Sequence, residues 1–346
     1  MIKTPRFWRE SGWQARLLAP VAALYGAISG RRMRQAPRHH AAVPVIAIGN
    51  FTAGGAGKTP TAIAVARIAT SLGFSPVIVM RGYGGTRTGP ALVDIAVDTA
   101  REVGDEAIMI AMAGIPVIVA RDRAVGADTA VAAGGDLIIL DDGFQSPALA
   151  KDLALVVVDG GYGIGNGRVI PAGPLRAPID LQMAKADAVI VINTGSAPSA
   201  AIGIAGRAKA AGVPLFQAAL RADPNALVLD GREIIAFAGI GRPEKLAEGL
   251  RARGGRIREL VPFPDHHPYT EADARRLLAR AEATDLRLVT TAKDRARLAG
   301  ARTPELAQLT ACLEIEAVEL VFAEIEAIAS LIKSRCGREG SEPHKS

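Results

Sequence analysis

An apolar run over residues 43–49 breaks into the turn Gly49-Asn50-Phe51-Thr52-Ala53-Gly54-Gly55-Ala56-Gly57-Lys58-Thr59-Pro60, and a helical pattern follows at once. Strand, glycine-rich loop and helix in that order make a cradle for phosphate. Glycines let backbone N–H groups turn inward, and the helix N-terminus adds its positive dipole end. Residues 52–59 are therefore the expected nucleotide-binding stretch: Thr52, Ala53, Gly54, Gly55, Ala56, Gly57, Lys58 and Thr59. Lys58 would reach the β- and γ-phosphates, and the Thr59 hydroxyl would help hold Mg²⁺. One departure stands out: the strict phosphate-loop pattern opens on glycine where this chain has Thr52. The lysine found early in the loop of partition-type ATPases is replaced by Ala53, which counts against that group.

Around this loop, short apolar runs alternate with Ala-rich helical stretches, the mark of a mostly parallel sheet covered by helices. Strands are expected at 43–49, 76–81, 116–120, 137–140, 153–158 and 188–192, and helices at 58–72, 105–113, 123–133 and 200–211. A second set alternates from residue 233: strand 233–238, helix 243–253, strand 257–261, helix 271–283 and strand 286–291. The expected fold is α/β. A P-loop NTPase-type parallel sheet domain (41–213) is joined by an extended linker (214–232) to a second, smaller α/β domain (233–332), and a disordered tail (333–346) follows.

The formal charge of +6 is not spread over the chain. Residues 1–40 carry Lys3, Arg6, Arg9, Arg16, Arg31, Arg32, Arg34 and Arg38 against Glu10 alone, a balance of +7 that leaves −1 for the remainder. A nucleic-acid-binding body would carry positive charge over a working face, so no nucleic-acid partner is expected. The apolar run 17–28 is too short to cross a bilayer, which takes about 20 residues. Trp8 and Trp13 before it, and arginines on both sides, suit a helix or hairpin over 5–35 lying on a membrane surface. The competing reading is a helix packed on the body with its arginines in solvent. Cys312 and Cys336 are the only cysteines, so no disulfide framework or zinc site is indicated.

A second magnesium element is expected at the end of a neighbouring strand. Asp136-Leu137-Ile138-Ile139-Leu140-Asp141-Asp142 supplies it, either Asp141 or Asp142 being the direct ligand. Asp105 opens a helix and is either a cap or a group that assists an attacking hydroxyl. His266 and His267 sit together in Pro264-Asp265-His266-His267-Pro268, and one of them is expected to serve as an acid/base partner. Arg81 and Arg123 lie near strand ends and Arg176 in a loop beyond one, where arginine forks suit an anionic acceptor. Thr290-Thr291-Ala292-Lys293-Asp294 sits where a guanine-selecting element would, but its spacing does not fit, which favours ATP.

Together the motifs resemble the tetraacyldisaccharide 4′-kinase (lipid A 4′-kinase) family of Gram-negative bacteria. They are GNFTAGGAGKTP (49–60), RGYGG (81–85), VGDEA (103–107), DDGFQ (141–145), DGGYGIGNGRVIPAGPLRAP (159–178), FAGIGRP (237–243) and FPDHHP (263–268). The resemblance implies transfer of the ATP γ-phosphoryl group to the 4′-hydroxyl of a tetraacylated glucosamine disaccharide 1-phosphate, giving lipid IVA. It also implies a peripheral or monotopic enzyme on the cytoplasmic side of the inner membrane, with no obligate protein partner. Carried onto these positions, Asp105 is the base, His266 its partner and Lys58 the phosphate lysine. Thr59, Asp141 and Asp142 are on the Mg²⁺ side, and Arg81, Arg123, Gln145 and Arg176 are candidate substrate contacts, to nucleotide or disaccharide. Ser146-Pro147-Ala148 replaces a more basic stretch usual after DDGFQ, which puts local acceptor contacts in doubt. Two rivals are a P-loop GTPase or metal-insertion chaperone, and a membrane-surface nucleotide switch that would need neither Asp105 nor His266.

Overall fold

The computed structural model describes residues 5–193, 198–223, 228–229, 231–300 and 303–337. After a 3₁₀ turn at Arg6–Trp8, the elements run α1 (Trp13–Leu17), α2 (Ala19–Met33), β1 (Val45–Asn50), α3 (Lys58–Ser71), β2 (Pro76–Met80), β3 (Ala91–Leu92), α4 (Ala100–Val103), α5 (Asp105–Met112), β4 (Val117–Val119), α6 (Arg123–Ala132), β5 (Leu137–Asp141), β6 (Leu153–Asp159), α7 (Ile179–Ala184), β7 (Ala188–Asn193) and α8 (Pro198–Ala210). There follow β8 (Leu215–Ala222), β9 (Glu233–Ala238), α9 (Glu244–Ala252), β10 (Arg256–Pro262), α10 (Glu271–Thr284), β11 (Arg287–Thr291), α11 (Ala292–Arg297), α12 (Pro304–Cys312), β12 (Leu313–Glu316), β13 (Val318–Phe322) and α13 (Ile325–Cys336).

Two compact units emerge. The phosphate-loop unit comprises Lys3–Met80, Asp122–Leu220 and Leu320–Ser346, and the second unit Arg81–Arg121 and Arg221–Glu319. The expected continuous domain over 41–213 therefore differs from what is observed, since residues 81–121 group with the C-terminal segment. The reason is a contact between segments distant in sequence: α5 packs on α11, and side chains of the two helices form ion pairs. The expected linker also differs at its start. Leu215–Ala222 is a strand that continues the sheet beside β7, with Leu215 opposite Val189. Residues 333–336, expected to open a disordered tail, complete α13, while 338–346 lie outside the described residues.

In the phosphate-loop unit the strands lie in the order β13-β8-β7-β6-β1-β5-β2. β1 is central, parallel to both β5 and β6, and every residue of it is buried. Register decides the site: Ile48 pairs with Asp141 and Asn50 with Val157, so β5 delivers Asp141 where β1 gives way to the phosphate loop. A core of Phe51, Phe144, Val156, Val158, Leu175, Val189 and Val191 lies on one face, with Phe51 and Phe144 edge-on at 6.3 Å. The second unit holds a parallel sheet ordered β10-β9-β11-β12, and within that unit β3 pairs antiparallel with β4. Phe237, Phe263 and Tyr269 anchor its core in edge-on ring contacts of 5.1–6.2 Å.

The N-terminal helices are apolar on two faces. Ala22, Gly26, Gly30 and Met33 recur at helical spacing and are buried, with Gly26 set against Val169 and Pro178. Leu17, Val21, Leu24 and Ile28 recur on another face and are exposed, as is Trp13. Pro20 starts α2, where a missing N–H costs nothing. Trp8 departs from the expected surface role: its indole donates to Pro171 O at 2.9 Å, fastening the segment to the body. Among the described residues no helix is long and apolar enough to cross a membrane.

Candidate active-site clusters

The phosphate loop is braced before any ligand arrives. Asn50, the last residue of β1, donates its amide to Gly54 O (3.1 Å), and its Oδ1 lies 3.5 Å from Lys58 Nζ. Gly57 precedes Lys58 at φ +87°, a left-handed conformation that favours glycine, and it leads directly into α3. The segment from Pro171 to Pro178 backs the loop. Ala53 N donates to Pro174 O (2.8 Å), Arg176 N to Phe51 O (2.9 Å), and the Arg176 guanidinium to Thr52 O (3.1 Å).

Asp141 and Asp142 have different surroundings. Asp141 is buried, and the Thr59 hydroxyl donates to its Oδ2 at 3.2 Å. Asp142, in a left-handed conformation at φ 55°, sends its carboxylate to Arg176 (2.8 Å) and Lys58 (3.8 Å), and its carbonyl accepts from Arg123 (2.6 Å). Burial alone would raise the Asp142 carboxyl. The Lys58 charge, followed by Arg176 and Arg123, outweighs it and holds the group below the usual carboxylate range. A hydroxyl and a buried carboxylate are the hard oxygen donors that magnesium takes, so Thr59 and Asp141 fit that ion. Asp142 is engaged by cations.

Three expected substrate contacts have structural duties here. Gln145 donates to Asn50 O (2.7 Å) and to Gln182 Oε1 (3.0 Å), and Gln182, fully buried, donates to Ala177 O. Arg176 ties the loop to Asp142. Arg123 is buried against the Asp142 carbonyl. Arg81 belongs to the second unit and is exposed.

The second unit brings together residues 161 apart in the chain. His266 Nδ1 lies 3.0 Å from Asp105 Oδ2, at the first turn of α5. His266 is left-handed (φ 58°), and its N–H donates to Gly239 O at 3.1 Å. Histidine and aspartate are among the non-glycine residues that tolerate this region, and such outliers cluster at functional sites. His267 turns away. Its Nε2 meets Asp273 (2.9 Å) beside the capping box of α10, and its ring lies against Phe263 at 4.8 Å. Of the two histidines, His266 is the one that meets Asp105, and His267 meets Asp273.

Sequence reasoning missed what surrounds this pair. Arg297 reaches Asp105 Oδ2 with Nε (2.9 Å) and Nη2 (2.8 Å), and Lys293 reaches Glu106 (2.8 Å). Arg297 Nη1 donates to Asp294 Oδ1 (2.8 Å), which also accepts from the Tyr269 hydroxyl (2.9 Å) and Gly239 N (3.0 Å). A Cβ on Gly239 would come within 3.2 Å of Asp294, Arg297 and the Pro264 carbonyl, so the FAGIG motif keeps this crossing open. Burial would raise the Asp105 carboxyl, but the hydrogen bonds and charge of Arg297, then His266 and Lys293, bring it below its ordinary value. The poorly fitting guanine element was the available signal: its lysine and aspartate belong to this frame instead.

Known proteins agree with the motifs. A family model described as tetraacyldisaccharide-1-P 4′-kinase matches residues 14–335. A tetraacyldisaccharide 4′-kinase of Bradyrhizobium sp. (strain ORS 278) is 47% identical over 338 residues, covering 96% of this chain and 98% of that one. One from Rhodopseudomonas palustris (strain BisA53) is 49% identical over 308 residues, covering 89% and 88%. The crystal structure of LpxK from Aquifex aeolicus in complex with ATP shares the fold, with a TM-score of 0.73 and 24% identity over 93% of this chain and 99% of that one. On the matched length and identity, the chain belongs to the tetraacyldisaccharide-1-P 4′-kinase family.

Proposed function

We infer that this protein transfers the γ-phosphoryl group of ATP to the 4′-hydroxyl of a tetraacylated glucosamine disaccharide 1-phosphate, forming lipid IVA in lipid A biosynthesis. Lys58 and the backbone of residues 52–59 bind the triphosphate. Thr59 and Asp141 would hold magnesium, which supplies charge neutralisation on the phosphate oxygens. Asp105 accepts the hydrogen bond of the attacking 4′-hydroxyl and takes its proton, while His266 shares the charge on that carboxylate. Phosphoryl transfer has a loose transition state, so positioning and charge carry most of the catalysis. Arg81 and Arg176 remain candidates for the acceptor's 1-phosphate, Arg176 by exchanging Asp142 for the ligand.

The observation that carries this reading is the 3.0 Å contact of His266 with Asp105, because a nucleotide switch needs no base. Replacing Asp105 by Ala should lower turnover by about 10²–10⁴-fold, the range for a positioned acid–base group, and leave ATP affinity unchanged. Equal loss of ATP binding and turnover would sink the assignment.

Peripheral attachment to the cytoplasmic face of the inner membrane belongs to the same reading. It is supported by the exposed stripe Leu17, Val21, Leu24 and Ile28 beside exposed Arg16, Arg31, Arg32 and Arg34. An apolar face rimmed by arginines suits an anionic lipid surface. This location also meets the acceptor, whose acyl chains keep it in the bilayer.

A further inference from the structure

The hydrogen bonds around Asp105 are one-sided. His266 Nδ1, Arg297 Nε and Arg297 Nη2 all reach Oδ2, and among the described residues no hydrogen bond reaches Oδ1. Arg297 is itself held from behind by Asp294 and the Gly239 carbonyl. Asp294 is fully buried and fixed by Tyr269, Gly239 N and the Thr291 hydroxyl. The guanidinium therefore has a set direction before Asp105 meets it. Gly239 O also accepts from His266 N, so one backbone group sets both partners of the carboxylate.

We propose that Arg297 is the positioning residue of the Asp105–His266 pair: its fork pins Oδ2, which leaves Oδ1 as the oxygen that receives the acceptor proton. The proposal rests on the kinase reading above. Two guanidinium donors of fixed relative direction converge on one oxygen and hold its place, whereas a lysine ammonium on its flexible stem offers a point charge with rotatable donors. The charged groups facing Asp105 are Arg297 and Lys293 from α11 and His266 from the loop after β10. Glu106 on α5 pairs with Lys293, Asp265 lies 4.0 Å from His266, and Asp294 is paired with Arg297. Without Arg297, burial is the dominant influence left on Asp105.

The test compares the full-length wild type with Arg297→Gln, Arg297→Lys and Tyr269→Phe. It follows phosphoryl transfer to the tetraacyldisaccharide 1-phosphate as a function of pH, ATP affinity, and thermal unfolding. The Asp105 carboxyl is titrated separately by ¹³C NMR, assigned with Asp105→Asn. Arg297→Gln should lower kcat about 100-fold, the cost of a misplaced catalytic group, with ATP affinity unchanged. Its acidic limb and the Asp105 titration should both move up by about one pH unit or more, and added guanidinium should restore part of the rate. Arg297→Lys should keep the limb near its wild-type position while kcat stays low. If Arg297→Gln does not fold, Tyr269→Phe, which removes one support of Asp294, should show the same changes at smaller amplitude. An Asp105 titration that does not move, or an unchanged kcat, overturns the proposal. A wild type that transfers no phosphoryl group, with the Asp105 titration shifted as expected, overturns the kinase reading and leaves the positioning intact.

Discussion

Gly57 gives a prediction whose magnitude follows from the structure in two parts. Replacing it by Ala places an L-residue at φ +87°, ψ 24°, a left-handed conformation costing about 1–2 kcal/mol. The new Cβ also falls 2.4 Å from Ile192 Cδ1 and 3.9 Å from its Cγ1. Ile192 is 2% exposed at the end of β7, so it cannot swing into solvent, and relieving the overlap costs about 1–3 kcal/mol. The expected loss is roughly 2–5 kcal/mol, against a total stability of about 5–15 kcal/mol for a native protein. Urea unfolding of the wild type, Gly57→Ala, Ile192→Val and the double variant separates the parts. Ile192→Val removes Cδ1 and alone costs about 0.5–1.5 kcal/mol. In the double variant the overlap is gone, so the two costs should fall short of additivity by about 1–3 kcal/mol. The backbone cost remains, and with it the distorted loop, so ATP affinity stays depressed in both Gly57 variants. Additive costs would refute the steric argument. An unchanged stability for Gly57→Ala would refute both parts.

Asp141→Asn should raise the magnesium concentration needed for half-maximal turnover and leave unfolding by urea near wild type; an unchanged magnesium requirement would remove Asp141 from the metal side. Burial, then the charges of Arg123 and Lys185, push the Lys151 amine down to about 8. The unfolded chain therefore binds the extra proton between about pH 8 and the unperturbed lysine value, and this group's contribution to stability rises with pH across that window. Melting temperatures of wild type and Lys151→Met at about pH 7 and about pH 10 should show the wild type gaining on the variant, and a constant difference would contradict the assignment. Replacing Leu17, Leu24 and Ile28 by Ser should weaken binding to phosphatidylglycerol vesicles by about 3 kcal/mol, roughly a hundredfold. Circular dichroism should not change, and full vesicle binding by this variant would leave the exposed stripe without a membrane role.

Much of the phosphate-loop unit was legible because its signals are local. An apolar run, a glycine turn and Lys58 at the start of a helix name their own geometry, and Asp141 follows four apolar residues into the same strand end. The strands and helices of the second set were legible for the same reason. What was not legible depends on distance. Nothing near Arg297 in the chain points to Asp105, 192 residues away, and α11 is too short to give a periodic pattern. The unit boundaries were hidden likewise, since the grouping of 81–121 with the C-terminal segment rests on α5 meeting α11. Arg176 and Gln145 show a further limit. Residue type marked them as polar contacts of the site, but only the structure shows them bracing Thr52, Asn50 and Asp142. Trp8 and Trp13 looked alike in sequence and diverge because the Pro171 carbonyl is within reach of one of them.

Transfer of label is the most direct test of the central claim. Purified protein is incubated in detergent with γ-labelled ATP, Mg²⁺ and tetraacyldisaccharide 1-phosphate, with Lys58→Ala alongside. The account predicts label in the lipid with the wild type and none with Lys58→Ala. An unlabelled lipid from wild-type protein that demonstrably binds ATP would contradict it.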